Sequence, residues 1–240
     1  MKTRVSFWLF SVAALAAVLV AACGGDDDAT TSPETGDEPT AAATVPASPD
    51  HGHTADSAVM TASAVAFQAD MRKLWEDHVT WTRLFIVSAV ADLPDKAATT
   101  ERLLQNQSDI GDAIKPFYGD AGGDALTALL EEHILVAADL VGAAKAGDSE
   151  AVAAANTNWY RNADDIATFL STANPENWPL ADATAMMREH LDETLVEATT
   201  QLTGDYAGSV AAYDRIHVQI LEMADMLSSG IIAQFPDQFE

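Results

Sequence analysis

Phe67, Met71, Leu74, His78, Trp81 and Phe85 follow one another at intervals of 4, 3, 4, 3 and 4 residues, the spacing of one face of an α-helix. The same intervals return in Leu126, Leu130, His133, Ala137, Leu140 and Ala144, and again in Tyr213, His217, Ile220, Ala224, Leu227 and Ile231. No stretch sustains a period of two, and no strand followed by a Gly-rich loop and a helix occurs. The chain therefore reads as all-α. Breaks fall at Pro94-Asp95, Pro116 to Gly119, Gly147-Asp148, Asn174 to Pro179 and Gly204-Asp205. In three of them Pro or Gly is followed by Asp, a helix stop and then an N-cap. Six helices are predicted, roughly 57–92, 95–115, 121–145, 149–172, 179–202 and 205–233. They group into three tandem antiparallel hairpins, about 57–117, 120–173 and 179–233, a six-helix bundle.

The hairpins look like a repeat. The first helix of each carries an acid and a histidine: Asp77-His78, Glu132-His133, Glu189-His190. Each returning helix carries a polar pair at i, i+3: Asn106 with Asp109, Asn162 with Asp165, and Asp214 with His217. His78 lies 17 residues before Asp95 and Asp109 lies 14 after it; the other two hairpins give 15 and 17, and 15 and 12. With a rise of about 1.5 Å per residue, paired positions reach similar heights. All four histidines of the helical part occupy repeat positions.

Two readings of these residues stay open. In one, each histidine is a buried pin that hydrogen-bonds an Asp or Asn on the facing helix and fixes register, since buried polar groups need partners. In the other, imidazoles and carboxylates build a ligand site in the bundle core. Neutral His and ionised Asp suit zinc, copper, iron or manganese. The candidate metal residues are His78, Asp109, His133, Asp165, His190, Glu193, Asp214 and His217. The third hairpin is the richest, because Glu193 and Glu197 follow His190 at intervals of 3 and 4. A ferritin-like di-iron centre is excluded: Trp75, Leu130, Met187 and Asp214 stand where its Glu-x-x-His motif needs Glu. Trp75, Trp81, Trp159 and Trp178, with Tyr160 and Phe169, either line a cleft or pack the core. Catalytic signatures are missing: there is no G-x-S-x-G, phosphate loop or HExxH.

The N-terminal part points to a compartment. Lys2 and Arg4 precede an apolar run from Val5 to Ala22, which ends in Val20-Ala21-Ala22-Cys23. This resembles the leader of a bacterial lipoprotein, with residues 1–22 removed and Cys23 lipidated. Cys23 is the only cysteine, so no disulfide staples the fold. Residues 23–56 hold eight acids and no Lys or Arg, and read as a disordered acidic tether. Residues 57–240 form the helical domain. The expected location is extracytoplasmic, anchored to the cell membrane through lipid on Cys23. His51 and His53 in the tether either bind Cu(II) or Zn(II) weakly or are solvated, and Met60 and Met71 form no Met-rich cluster with them. Loss of two bases with the leader takes the net charge from −25 to −27. That disfavours nucleic acid, whose phosphates need clustered Lys and Arg. A metal ion, a small ligand or a protein partner is left.

EDHVTWTR (Glu76 to Arg83), KAGD (Lys145 to Asp148), NADDIATFL (Asn162 to Leu170) and SSGIIAQF (Ser228 to Phe235) resemble segments of an uncharacterised bacterial family of small helical proteins. The resemblance spans about 70–235 and implies a helical domain without an assigned activity. Kinase and glycosyltransferase labels attached to relatives have no counterpart here, since nucleotide-binding and sugar-nucleotide patterns are both missing.

Overall fold

Helices begin and end where cap chemistry lets them. In a computed structural model that describes residues 60–240, Thr61 caps α1 (Ala62–Ala91) by accepting from Ala64 N, and Asp92 ends it in the left-handed conformation. α2 (Lys96–Ala146) stops at Gly147, φ 73°, and Asp148 caps α3 (Ser149–Ala173). α4 (Leu180–Thr203) stops at Gly204, φ 80°, and Asp205 caps α5 (Tyr206–Gln234). A 3-10 turn, Pro236–Phe239, closes the chain. Asp95 departs from the expected cap role: its carboxylate accepts from Ser88 Oγ at 2.9 Å instead. The leader, Cys23, the tether, His51 and His53 lie outside the described residues.

The described residues are all-helical, with five helices and no strand. Five helices are counted where six are expected, because α2 runs through Pro116 to Gly119; the two helices expected there are its two limbs, which meet at a kink where Gly119 leaves helical angles, at φ 73° and ψ 171°. That residue bends α2 sharply. Lys115 meets Asp124 at 2.7 Å across the bend. Gly111 packs so close to the returning limb that a Cβ there would sit 2.7 Å from the Gly123 carbonyl.

α1 packs on α2, α2 on α3, α3 on α4, α4 on α5, and α5 back on α1, a ring closed in chain order. At the closure Arg72 pairs with Asp225 at 2.6 Å. Thr61 Oγ1 and Ser63 Oγ both donate to the Phe239 carbonyl. The connector from Asn174 to Pro179 is fastened inside. Asn174 Nδ2 donates to the Gly230 carbonyl at 2.9 Å, and the buried Trp178 donates Nε1 to the Met226 carbonyl at 3.3 Å. A Cβ at Gly230 would lie 2.1 Å from Trp178 Nε1. Gly230→Ala will therefore force the indole aside and destabilise the bundle by about 1–3 kcal/mol, as overpacking does. Thermal unfolding followed by circular dichroism checks this, and an unchanged midpoint would show that Trp178 yields freely.

Candidate functional site

Three helices each bring one histidine to the middle of the core. His78 on α1, His133 on the second limb of α2 and His190 on α4 are only 3 %, 3 % and 4 % exposed. His190 stands between the other two: its ring centroid is 5.6 Å from that of His78 and 6.4 Å from that of His133. Trp75 lies 5.7 Å from His78, and Trp159 lies 5.3 Å from His133. Side chains that sequence spacing placed in separate hairpins thus form one layer.

Each histidine has a side-chain amide nearby, and two of the amides dictate its protonation. Asn162 gives Nδ2 to the Leu129 carbonyl at 3.0 Å, and Gln219 gives Nε2 to the Met186 carbonyl at 3.2 Å. A carbonyl only accepts, so the NH2 end of each amide is fixed there. The amide oxygen is then the atom facing the ring: Asn162 Oδ1 lies 2.9 Å from His133 Nδ1, and Gln219 Oε1 lies 3.2 Å from His190 Nδ1. An oxygen acceptor requires Nδ1 to carry the proton. Nε2 of both rings is left with a bare lone pair, and among the described residues no donor bonds it. Burial pushes His133 down to about 3 and His190 to about 4, so both are neutral near pH 7.

His78 breaks the pattern. Asn106 Nδ2 holds the Leu74 carbonyl at 3.0 Å, as in the repeat, but Asn106 Oδ1 accepts from Gln107 Nε2 at 3.2 Å. His78 Nδ1 is left without a partner, as is Gln107 Oε1. Gln107 is close enough to favour the charged form of His78 but makes no hydrogen bond with it. Burial, then the neighbouring His190 and His133, hold His78 well below its ordinary value. Trp75 Nε1 and Trp159 Nε1 are also buried and unpaired. Four unpaired polar atoms therefore belong to this layer, each costing about 1–3 kcal/mol if nothing bonds it.

The other expected site residues lie elsewhere. Asp109 faces Arg102 at 3.5 Å, the exposed Asp165 faces Arg161 at 3.6 Å, and Glu193 accepts from Arg215 at 2.8 Å. Asp214 is exposed. His217 is half-buried and meets Glu76 across the α1–α5 seam, Nε2 to Oε1 at 2.9 Å. Of the Asp or Asn partners expected for the histidines, Asn162 meets His133, the carboxylates do not meet the rings, and Gln219 serves His190. Burial is the cause, since an ionised carboxylate costs far more to enclose than an amide. Among the described residues no group of three or more His, Cys, Asp or Glu side chains is already set around one point to hold a metal ion.

Compared with protein-family models, curated proteins and solved structures, the chain matches none.

The layers on either side differ in character. Toward Trp178, Met71, Met187 and Met223 line an apolar cavity of about 20 Å3 together with Trp75. On the other side the Glu197 carboxylate is buried and meets Arg83 Nη1 at 2.6 Å. The same Nη1 donates to Ser209 O at 3.3 Å and Oγ at 3.2 Å, and the guanidinium lies 5.1 Å from the centre of the Tyr213 ring. Burial pushes Glu197 up to about 7 while Arg83 pulls it back. Sequence reasoning found the three histidines but not Gln107 or Gln219. The missed signal was constant separation: histidine to amide is 29 residues in both hydrogen-bonded pairs.

Proposed function

We propose that this chain is a cell-envelope lipoprotein whose helical domain is a non-enzymatic binding module, holding a metal ion or small ligand at the histidine layer. The observation that carries the reading is the convergence of His78, His133 and His190 from three helices, with Nδ1 of two rings tied to amides. Metal-ligating histidines are oriented in this way, the far nitrogen anchored and the near one bare. The unpaired Trp75 Nε1, Trp159 Nε1, Gln107 Oε1 and His78 Nδ1 supply further polar contacts for a guest. We also read the bundle as three tandem hairpins, with one limb of α2 in each of the first two. Amide-to-carbonyl bonds recurring at separations of 32, 33 and 33 residues support this. Membership of the uncharacterised helical family and lipid anchoring through Cys23 belong to the same proposal. No described helix is long and apolar enough to cross a membrane.

A second reading has its own observation. His133–Asn162 and His190–Gln219 are bonds within a pair of adjacent helices, as register pins require. Elemental analysis and native mass spectrometry of the full chain, carrying His51→Ala and His53→Ala and purified without chelator, separate the two. About one equivalent of metal or bound small molecule is expected from a single core site. An empty chain, with no thermal shift on adding transition metals, would leave the histidines as pins.

A further inference from the structure

We infer that the core holds a second, independent binding site: a dry cavity between the helices that takes one apolar gas molecule of one or two heavy atoms, such as dioxygen. This goes beyond the histidine layer, because no histidine lines the cavity.

Size and chemistry name the guest. The cavity has a volume of about 20 Å3. A water-sized body needs about 10–15 Å3, and a cavity known to take benzene has about 150 Å3, so a single small molecule fits and a ring does not. The wall is entirely apolar. Trp75 carries an unpaired Nε1 but turns no polar surface toward the space. Trp178 Nε1 is engaged by the Met226 carbonyl, and the Tyr118 hydroxyl by Gln234. A buried water needs about two to four polar partners, and the wall offers none. An apolar guest meets two indoles and the thioethers of Met71, Met187 and Met223, polarisable groups that attract it by dispersion.

The space is held open. Trp178 hangs from the Met226 carbonyl at 3.3 Å with Gly230 against its Nε1, and the Tyr118 hydroxyl donates to Gln234 Oε1 at 2.7 Å. Gln234 Nε2 in turn donates to the Ala173 carbonyl at 3.0 Å. Two aromatic walls are thus fixed by polar bonds made outside the cavity, and they fall inward only if those bonds break. A site formed in advance needs no reorganisation when its guest arrives. Tyr118, Phe169 and Ala173 are half-buried, whereas the rest of the wall is buried. The wall is therefore thinnest beside the Gly119 bend, and the guest enters there.

An idle packing gap is the competing account, since folded cores keep a few voids. Occupancy separates the two. Two heavy atoms cap the affinity at about the millimolar level, so the site fills under applied gas pressure. The decisive reading is whether the gas collects at this wall more than in the rest of the core.

Dioxygen is paramagnetic and speeds the relaxation of nuclei beside it, so it serves as the probe. The test uses the full chain labelled at the isoleucine δ1 methyls, with methyl relaxation followed by NMR under rising dioxygen pressure. Ile110, Ile114, Ile166 and Ile231 line the cavity, while Ile86, Ile134, Ile216 and Ile220 are as deeply buried and do not. The expected result is an enhancement several-fold larger at the first four methyls than at the second four, rising with pressure. Ala173→Val adds two carbons to the small side chain of the wall and should remove that excess while the circular dichroism spectrum is unchanged. Equal enhancement at all eight methyls would show that gas merely dissolves in the core, and would overturn the site. An excess that survives Ala173→Val would overturn it too. His133→Asn/His190→Asn changes no residue of this wall and should leave the excess as it is. Its loss in that variant would tie the guest to the histidine layer and overturn an independent site.

Discussion

Acidification will unfold the metal-free helical domain between about pH 6 and 4, and urea midpoints will fall steeply across that interval. In the unfolded chain each imidazole takes up a proton near its ordinary value, about 6.5. In the fold His133 resists until about 3 and His190 until about 4, because burial penalises the charged ring, and His78 is held down in the same direction. Below about 6.5 the unfolded state therefore binds more protons, and stability falls with pH. Each histidine contributes a slope of up to about 1.4 kcal/mol per pH unit, so the three together approach about 4 kcal/mol per unit. Two such units remove about 8 kcal/mol, comparable to the about 5–15 kcal/mol that a whole domain holds. Glu197 acts in the opposite sense, since its raised value lets the fold hold a proton that the unfolded chain has released above about 4.5. It is one group against three. Urea titration by circular dichroism in steps of pH checks the prediction. A midpoint unchanged from about pH 7 to 5 would mean that water reaches the rings, and His133→Asn/His190→Asn should flatten the curve.

Arg83→Met will be the most damaging single substitution away from the histidines, at about 3–5 kcal/mol near neutral pH. It strands a carboxylate that is 1 % exposed. Removing the cation takes away both the 2.6 Å ion pair and the lowering influence on Glu197, so the carboxyl is driven further up and stays protonated. The loss relative to the parent will shrink as pH falls, because a neutral Glu197 is cheaper to bury. Glu197→Leu added to Arg83→Met should recover most of the stability, since well-packed apolar replacements of a buried ion pair often do. Paired urea curves at about pH 7 and 5 are the measurement. Equal losses at both would show that the Arg83 contacts with Ser209 and Tyr213, rather than charge, carry the effect.

Periodicity at 3 and 4 residues sufficed for the helices, because a buried stripe leaves that mark. Gly147-Asp148 and Gly204-Asp205 marked their junctions, because a left-handed stop and an Asp cap both need particular residues. The bend at Gly119 was legible as a break but not as one inside a continuous run. The site was half legible. His78, His133 and His190 stood out by position. Their partners did not, because two residues at i and i+3 share a face only broadly, and spacing does not say which one turns inward. Burial turned Asn162 rather than Asp165 toward its histidine, and Asn106 rather than Asp109 inward, where it bonds Gln107 and not His78. In the third unit it chose Gln219, two residues beyond His217. That the three rings meet was not legible at all, since it depends on how hairpins pack, which their own spacing does not contain.

Closure of the ring sets an order of assembly. The contacts that join α1 to α5 link residues 153 and 157 apart, and those from the start of α1 to Phe239 link residues 176 and 178 apart, whereas each histidine–amide bond spans 29. Short loops close at lower entropic cost than long ones, and local contacts form faster than distant ones. Pairs of neighbouring helices, with their rings already oriented by amides, therefore precede the closed bundle. The three imidazoles become neighbours only when distant pairs dock, so the layer records completion of the fold, and any guest that bridges it draws its affinity from that last long-range step.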